Sequence, residues 1–245
     1  MLKAYDTLGI EVTRRCNMCC AHCIRGDAEQ KDIEYRYIDA LITDIEYISS
    51  LLITGGEPSL NPRAIQYIAD VVRARDIFIG GAVLITNGKF VSDEFITACA
   101  SLFSLATEDE RNYLAISSDV FHEDVSREKR QKLSVFKAYH PNGHHNDWNR
   151  IPLADLGRAR ELTTYQKTEA SKSDELWYEY DPKKEVIRFT DTIVTMTVND
   201  DILSECDYDF KDTLNWRIGH ITDSCWAEKA IGIAAESGRR GISYA

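Results

Sequence analysis

Residues 8–23 read LGIEVTRRCNMCCAHC, a stretch that joins a strand pattern directly to a cluster of cysteines. Over its first six residues apolar side chains alternate with polar ones, which predicts a β-strand. The loop that follows carries four cysteines within eight residues: Cys16, Cys19, Cys20 and Cys23. Thiolates are soft ligands that favour iron–sulfur clusters or zinc. The stretch therefore predicts a metal-binding loop at the carboxyl end of a strand.

A short apolar strand followed by an amphipathic helix recurs along the chain. The predicted strand ends fall at Thr13, Thr54, Thr86, Ser117 and about Leu153. Their spacing matches one strand–helix unit of roughly 30–40 residues. Strands that are apolar on both faces and alternate with helices predict a parallel sheet with right-handed crossovers. Ligands bind at the carboxyl ends of strands in such folds, so we expect the functional residues there.

Local patterns also predict element boundaries. Helical spacing of apolar residues favours a helix from about Tyr35 to Ile48, followed by a strand at Leu51–Thr54. A fifth strand is expected at Arg150–Leu153. The final third is rich in β-branched residues, with a hairpin turn expected at Asn199-Asp200-Asp201. A last helix is expected to begin near Asp223 or Ser224.

Composition narrows the class of protein. The chain has 245 residues and a formal net charge of −11, from 29 basic and 40 acidic side chains, which disfavours a nucleic-acid partner. No apolar run approaches the ~20 residues of a membrane span, and the N-terminus has no apolar signal segment. Seven cysteines without an export signal do not form a disulfide framework. We therefore expect a cytoplasmic protein that does not bind membranes.

Four motifs stand, in chain order, at the ends of the first four predicted strands. They are Cys16-x3-Cys20-x2-Cys23, Gly55-Gly56-Glu57-Pro58, Thr86-Asn87-Gly88 and Ser117-Ser118-Asp119. In this order and at these positions they resemble the radical S-adenosylmethionine (radical SAM) superfamily. The resemblance covers about residues 8–120. It implies a partial (β/α)6 TIM-like barrel in an α/β fold, with a small C-terminal α+β extension.

The resemblance also implies cofactors and a reaction. A [4Fe–4S] cluster with one open iron would bind S-adenosylmethionine (SAM) and cleave it reductively. The resulting 5′-deoxyadenosyl radical would take a hydrogen atom from the substrate, while the protein orients the reactants. A reducing partner such as flavodoxin or ferredoxin is implied as the electron source. Residues 1–165 would hold most of the barrel, and residues 166–245 its last elements and the extension.

Site roles follow from the same resemblance. The cluster ligands, which carry the radical chemistry, would be Cys16, Cys20 and Cys23. The SAM amino group would be received by the backbone of Gly55, Gly56 and Glu57. The SAM carboxylate or ribose would be bound by Thr86, Asn87 and Ser117. Asp119 would contact SAM or substrate, and Arg158, in Gly157-Arg158-Ala159, would pair with a carboxylate.

The residues themselves leave alternatives open. Cys16-x2-Cys19-x3-Cys23 is a second possible ligand selection, and all four cysteines could form a structural zinc site. We expect Cys19 to be a neighbour of the ligands and not a ligand. His122 and Glu123 follow the fourth strand, where a solvated loop is expected in preference to a substrate contact.

The C-terminal third resembles the start of a SPASM-type extension, which holds auxiliary clusters in many peptide-modifying members. Only Cys206 and Cys225 are present there, too few for such a cluster, so we expect a β-hairpin and helix without one. This remnant favours a peptide or protein substrate. A nucleotide or other small molecule is the alternative. A non-catalytic iron–sulfur or zinc binding module is the alternative of another class.

Overall fold

The computed structural model describes residues 1–117, 121–122, 124–139, 153–168 and 176–236. The strands are β1 Leu2–Glu11, β2 Ile45–Thr54, β3 Phe78–Thr86, β4 Tyr113–Ile116, β5 Ala138–Tyr139, β6 Leu153–Ala154, β7 Lys167–Thr168, β8 Tyr178–Asp181, β9 Val186–Met196, β10 Asp201–Leu203 and β11 Arg217–His220. The helices are α1 Tyr35–Leu41, α2 Pro62–Ala74, α3 Asp93–Phe103, α4 Arg127–Leu133 and α5 Trp226–Glu236. Alternation of strands and helices through α4 confirms the predicted α/β class.

A nine-stranded mixed sheet organises the molecule. Its order is β11-β10-β9-β1-β2-β3-β4-β5, with β8 also paired to β9. The six neighbours from β9 to β5 run parallel, whereas β8, β10 and β11 are antiparallel to their partners. Among the described strands β5 and β11 stand at opposite edges, so the sheet is not closed. The carboxyl ends of β1 to β4 lie along one edge, where the first three motifs and Ser117 of the fourth meet.

The outer strands differ from the expected order. The fifth place beside β4 is taken by Ala138–Tyr139, whereas Leu153–Ala154 pairs with β7 in a separate two-stranded sheet. The sixth parallel strand, β9, lies beside β1. A Cβ on Gly9 would come within 2.6 Å of Thr195 Oγ1, so the glycine lets β9 approach β1 closely. The remaining residues of the expected fifth strand, 150–152, lie outside the described residues.

The first crossover also differs from the expected boundary. The helix α1 ends at Leu41, and β2 begins at Ile45, earlier than the expected Leu51. Asp44 has a φ of +58°, a turn conformation that a helix cannot include. The apolar residues that suggested a longer helix belong in part to the strand, because short apolar runs suit both periods.

The C-terminal third is part of the main sheet. β9 and β10 pair antiparallel across the expected turn, which confirms the hairpin, and α5 begins at Trp226. A second apolar core lies here, formed by Leu156, Leu203, Tyr208, Phe210 and Trp216. No helix in the described ranges combines the length and apolar character needed to cross a bilayer.

Replacing Phe189 by Ala is expected to lower the free energy of unfolding by about 3–5 kcal/mol. Phe189 is fully buried and stacks between Tyr5 and Trp226, with ring centroids 5.5 and 5.6 Å away. Urea denaturation measures the loss. Phe78→Ala is the matched control, because this ring is 50% exposed and its loss should cost under ~1 kcal/mol. Equal costs for the two variants would contradict the role of β9 in the core.

Candidate functional site

Three of the four clustered cysteines face a common cavity. Cys16, Cys20 and Cys23 line a space of about 290 Å³ at the carboxyl edge of the sheet. Cys19 is exposed and does not line it. Three soft thiolates on one wall match the donor set of an iron–sulfur cluster with one iron left open. The residues present therefore fit such a cluster.

Backbone contacts hold the loop in this shape. The Cys23 carbonyl accepts hydrogen bonds from the Gly26 and Arg158 amides, at 3.3 and 2.9 Å. The Met18 amide lies 3.4 Å from Cys16 Sγ. Burial raises the pKa of the Cys16 thiol to about 11, and this amide opposes the rise. Metal coordination deprotonates a thiol outright, so binding at Cys16 would release a proton.

The Gly55-Gly56-Glu57 turn packs against the chain that enters the loop. The Gly56 amide donates to the Thr13 carbonyl at 2.7 Å, and the Glu57 amide donates to the Arg15 carbonyl at 2.8 Å. A Cβ on Gly55 would lie 2.4 Å from the Thr13 carbonyl oxygen, and one on Gly56 would lie 2.5 Å from that of Arg15. Glycine is required at both positions because a side chain would displace the backbone of the loop.

The Glu57 side chain connects this turn to the end of β3. Its carboxylate accepts hydrogen bonds from Thr86 Oγ1 at 2.5 Å, the Asn87 amide at 2.7 Å and the Ser59 amide at 3.1 Å. Burial raises the pKa of Glu57, and these donors oppose the rise without cancelling it. The Thr86 hydroxyl also accepts from the Gly88 amide. These two side chains are therefore engaged in holding strand ends together.

The remaining strand ends complete the cavity wall. Asn87 Nδ2 donates to Asn17 Oδ1 at 2.8 Å, which joins the end of β3 to the cysteine loop. The Ser117 amide donates to the Thr86 carbonyl at 2.8 Å, and Ser117 lines the cavity. The structure thus brings together the cysteines and, from the predicted cofactor contacts, Gly55, Gly56, Glu57, Thr86, Asn87 and Ser117. Asp119 lies outside the described residues, as do Ser118 and Glu123.

Two buried arginines, Arg14 and Arg25, join the cysteine loop to the C-terminal third. The sequence pattern does not predict these contacts. Arg14 NH1 donates to the Phe210 carbonyl at 3.2 Å, and its guanidinium lies 4.5 Å from the Phe210 ring centroid. Arg25 NH1 donates to the Tyr208 carbonyl at 3.1 Å, and its guanidinium lies 3.9 Å from the Tyr208 ring centroid. Buried Glu11 pairs with Arg14 at 3.1 Å. Two cations that flank the cysteines are therefore covered by aromatic rings of the C-terminal third.

Aromatic side chains stand beside the cavity as well. His22 stacks on Phe121 at 4.4 Å and meets His122 edge-on at 5.1 Å, and Phe121 contacts Tyr165 at 5.3 Å. Both histidines line the cavity. The expectation of a solvated loop role for His122 is therefore wrong, because tertiary contacts with the cysteine loop decided its position.

Replacing Glu57 by Gln is expected to lower the free energy of unfolding by about 1–3 kcal/mol, because a buried amide NH₂ would face a backbone donor. Chemical denaturation of the metal-free protein measures this loss. Glu94→Gln is the control, because Glu94 forms a surface ion pair with Arg63, and this substitution should cost under ~1 kcal/mol. A Glu57→Gln protein as stable as the wild type would contradict the linking role of this carboxylate.

Comparisons with known proteins agree with this geometry. Residues 11–109 match the family model described as the 4Fe-4S single cluster domain. Over 101 residues the chain is 29% identical to the tungsten-containing aldehyde ferredoxin oxidoreductase cofactor-modifying protein of Pyrococcus furiosus. That alignment covers 39% of this chain and 27% of the relative, so the chain matches about a quarter of the relative's length.

Solved structures share the fold at low sequence identity. The structure of native anSMEcpe with bound AdoMet and Cp18Cys peptide has a TM-score of 0.53 and 11% identity, over 98% of this chain and 82% of that chain. Streptococcus suis SuiB has a TM-score of 0.37 and 15% identity, over 86% of this chain and 64% of that chain, a similarity too low to support an inference.

The matched segment contains the three cavity-facing cysteines, the glycine turn that supports them and the end of β3. The whole chain follows the fold of a protein that holds AdoMet. Together with the order of the motifs at the strand ends, these findings support a relationship of the chain to the radical SAM superfamily.

Proposed function

We propose that this chain is a radical SAM enzyme that takes a hydrogen atom from a peptide or protein substrate. One observation carries the proposal. The three cavity-facing cysteines and the ends of β2, β3 and β4 surround the same space. A structural zinc site has no need of a cavity beside its ligands, whereas a reactive metal site keeps an open position.

Cys16, Cys20 and Cys23 would hold the [4Fe–4S] cluster. Cys19 is exposed and does not line the cavity, which supports leaving it out of the ligand set. When bound, the cluster and SAM would supply the 5′-deoxyadenosyl radical and take up one electron from a reductant. Flavodoxin or ferredoxin is the class of reducing partner that we propose.

The chain's own residues would bind and orient SAM. Backbone groups of Gly55, Gly56 and Glu57 would receive its amino group, because all three residues line the cavity beside the cysteines. Asn87 and Ser117 would bind its carboxylate or ribose. Thr86 would orient the end of β3 and contact SAM through its backbone, because its hydroxyl is engaged by Glu57 and Gly88.

The wider architecture supports this assignment. The six parallel strands from β9 to β5 would form the partial (β/α)6 barrel, with β9 as the strand beside β1. Residues 1–165 would then hold the cofactor-binding part. Residues 166–245 would supply the last barrel strand and a SPASM-like extension without a cluster. We place the protein in the cytoplasm, where reducing conditions keep its seven free cysteines as thiols.

A peptide substrate is supported by two observations. The anSMEcpe structure that shares this fold holds a peptide together with AdoMet. The cavity wall also includes Ile85, an apolar side chain that is 38% exposed and open to a substrate. A nucleotide or other small molecule remains the alternative substrate class.

Anaerobic reconstitution with iron and sulfide tests the cofactor. The wild-type protein is expected to bind four irons per chain and, with dithionite and SAM, to release methionine and 5′-deoxyadenosine. Alanine at Cys16, Cys20 or Cys23 should abolish both, because each removes a ligand. Cys19→Ala should retain the cluster, and Cys99→Ala serves as a control for a buried cysteine outside the loop.

Two results would contradict the proposal. A wild-type protein that binds zinc or a cluster but releases no 5′-deoxyadenosine would be a binding module. Loss of the cluster in Cys19→Ala would replace the ligand set with one that includes Cys19.

Deuterium transfer tests the substrate class. Peptides and small metabolites from cells of the source organism grown in D₂O are offered separately to the reconstituted protein with unlabelled SAM. The peptide fraction is expected to give 5′-deoxyadenosine that carries deuterium, because the hydrogen taken comes from the substrate. Deuterium transferred from the small-metabolite fraction alone would show that the substrate is a small molecule.

A further inference from the structure

A short turn from the distal part of the chain docks directly onto the cysteine loop. Gly157 has a φ of +50°, and a Cβ there would lie 2.5 Å from the Cys23 carbonyl oxygen, the Ile24 carbonyl oxygen and the Gly26 amide nitrogen. The next residue, Arg158, donates its amide to the Cys23 carbonyl at 2.9 Å. Glycine and a left-handed conformation therefore bring this turn into backbone contact with the last proposed cluster ligand.

The Arg158 side chain contacts the same loop at Cys19. Its NH1 lies 2.7 Å from Cys19 Sγ, and the side chain is 19% exposed. Its Nε is buried and has no hydrogen-bond partner within the part of the chain that the structure describes. The Asp27 carboxylate forms an ion pair with Arg158, with Oδ1 at 3.6 Å from NH1. Asp27 is 65% exposed and is shared with Lys211, so it neutralises Arg158 only in part.

We propose that Arg158 is a positioning residue that sets the reduction potential of the cluster. One-electron reduction makes the cluster more negative, so a fixed cation beside the loop stabilises the reduced form and raises the potential. Charge, hydrogen bonds near the sulfurs and solvent exposure are the features by which proteins tune such clusters. The carboxylate pairing expected from the sequence is found with Asp27, and it does not account for the contact with Cys19. This inference rests on the proposed function, because it requires the cluster.

A redox titration followed by electron paramagnetic resonance tests the proposal on the reconstituted full chain without SAM. Arg158→Gln keeps side-chain donors but removes the charge. It is expected to lower the ratio of reduced to oxidised cluster about tenfold at a fixed potential. For a one-electron couple this corresponds to a midpoint potential lower by ~59 mV. Arg158→Lys should restore most of the wild-type potential. Asp27→Asn should shift the potential upward, because it removes the opposing charge.

Arg160→Gln is the matched control, since it removes the same charge from the same turn. Arg160 faces Asp209 at 3.7 Å and is 46% exposed, so its loss should leave the potential close to that of the wild type. Iron content is measured for every variant, and a structural role alone would change that content but not the potential of the clusters that remain.

An unchanged midpoint in Arg158→Gln would overturn the proposal, as would equal shifts in Arg158→Gln and Arg160→Gln. If Arg158→Gln loses its cluster, the midpoint potentials of Arg158→Lys and Asp27→Asn test the proposal instead. A midpoint potential of Asp27→Asn that is lower than or equal to that of the wild type overturns it. These results are distinct from failure of the proposed function, in which the wild-type protein itself would show no cluster signal or no SAM cleavage.

Discussion

Two backbone hydrogen bonds support the site: those by which Gly56 and Glu57 bind the chain that enters the cysteine loop. They require that no side chain stand between β2 and the loop, and the glycines meet that requirement. Because β1 and β2 are parallel neighbours, their carboxyl ends are already at the same edge of the sheet. The two hydrogen bonds thus hold the cysteine loop, and with it three thiols, in a fixed position at this edge of the sheet.

Buried charge is the second constraint. Glu57 and Glu11 are both buried, and each is compensated by named partners: three donors at the strand ends for Glu57, and Arg14 for Glu11. A buried carboxylate without such partners would cost several kcal/mol or take up a proton. These groups therefore specify how the strand ends and the loop fit together, because a shifted arrangement would leave them uncompensated.

The sequence predicts the parts of this site that depend on spacing. Cysteine spacing, glycine pairs and polar residues after apolar strands are local signals, and they placed Cys16, Gly56 and Asn87 at one edge of the sheet. The contacts of Arg14 and Arg25 with Phe210 and Tyr208 have no such signal, because the two aromatic residues look like ordinary apolar residues until the chain is folded. The position of β9 beside β1 was likewise not predictable, since periodicity gives the type of an element but not its neighbour. The start of β2 at Ile45 differs from the expected helix for another reason, because short apolar runs suit both the helical and the strand period.

The contacts between the buried arginines and these aromatic residues also depend on the order of synthesis. The hydrogen bond from Arg14 to the Phe210 carbonyl joins residues 196 positions apart. During synthesis the cysteines therefore emerge long before the aromatic side chains that cover the arginines beside them, and contacts of such separation form late in folding. A nascent chain therefore exposes four thiols before Phe210 and Tyr208 can pack on the neighbouring arginines. The order of synthesis thus leaves the cysteine loop without the aromatic cover of its neighbouring arginines until the last quarter of the chain has been made.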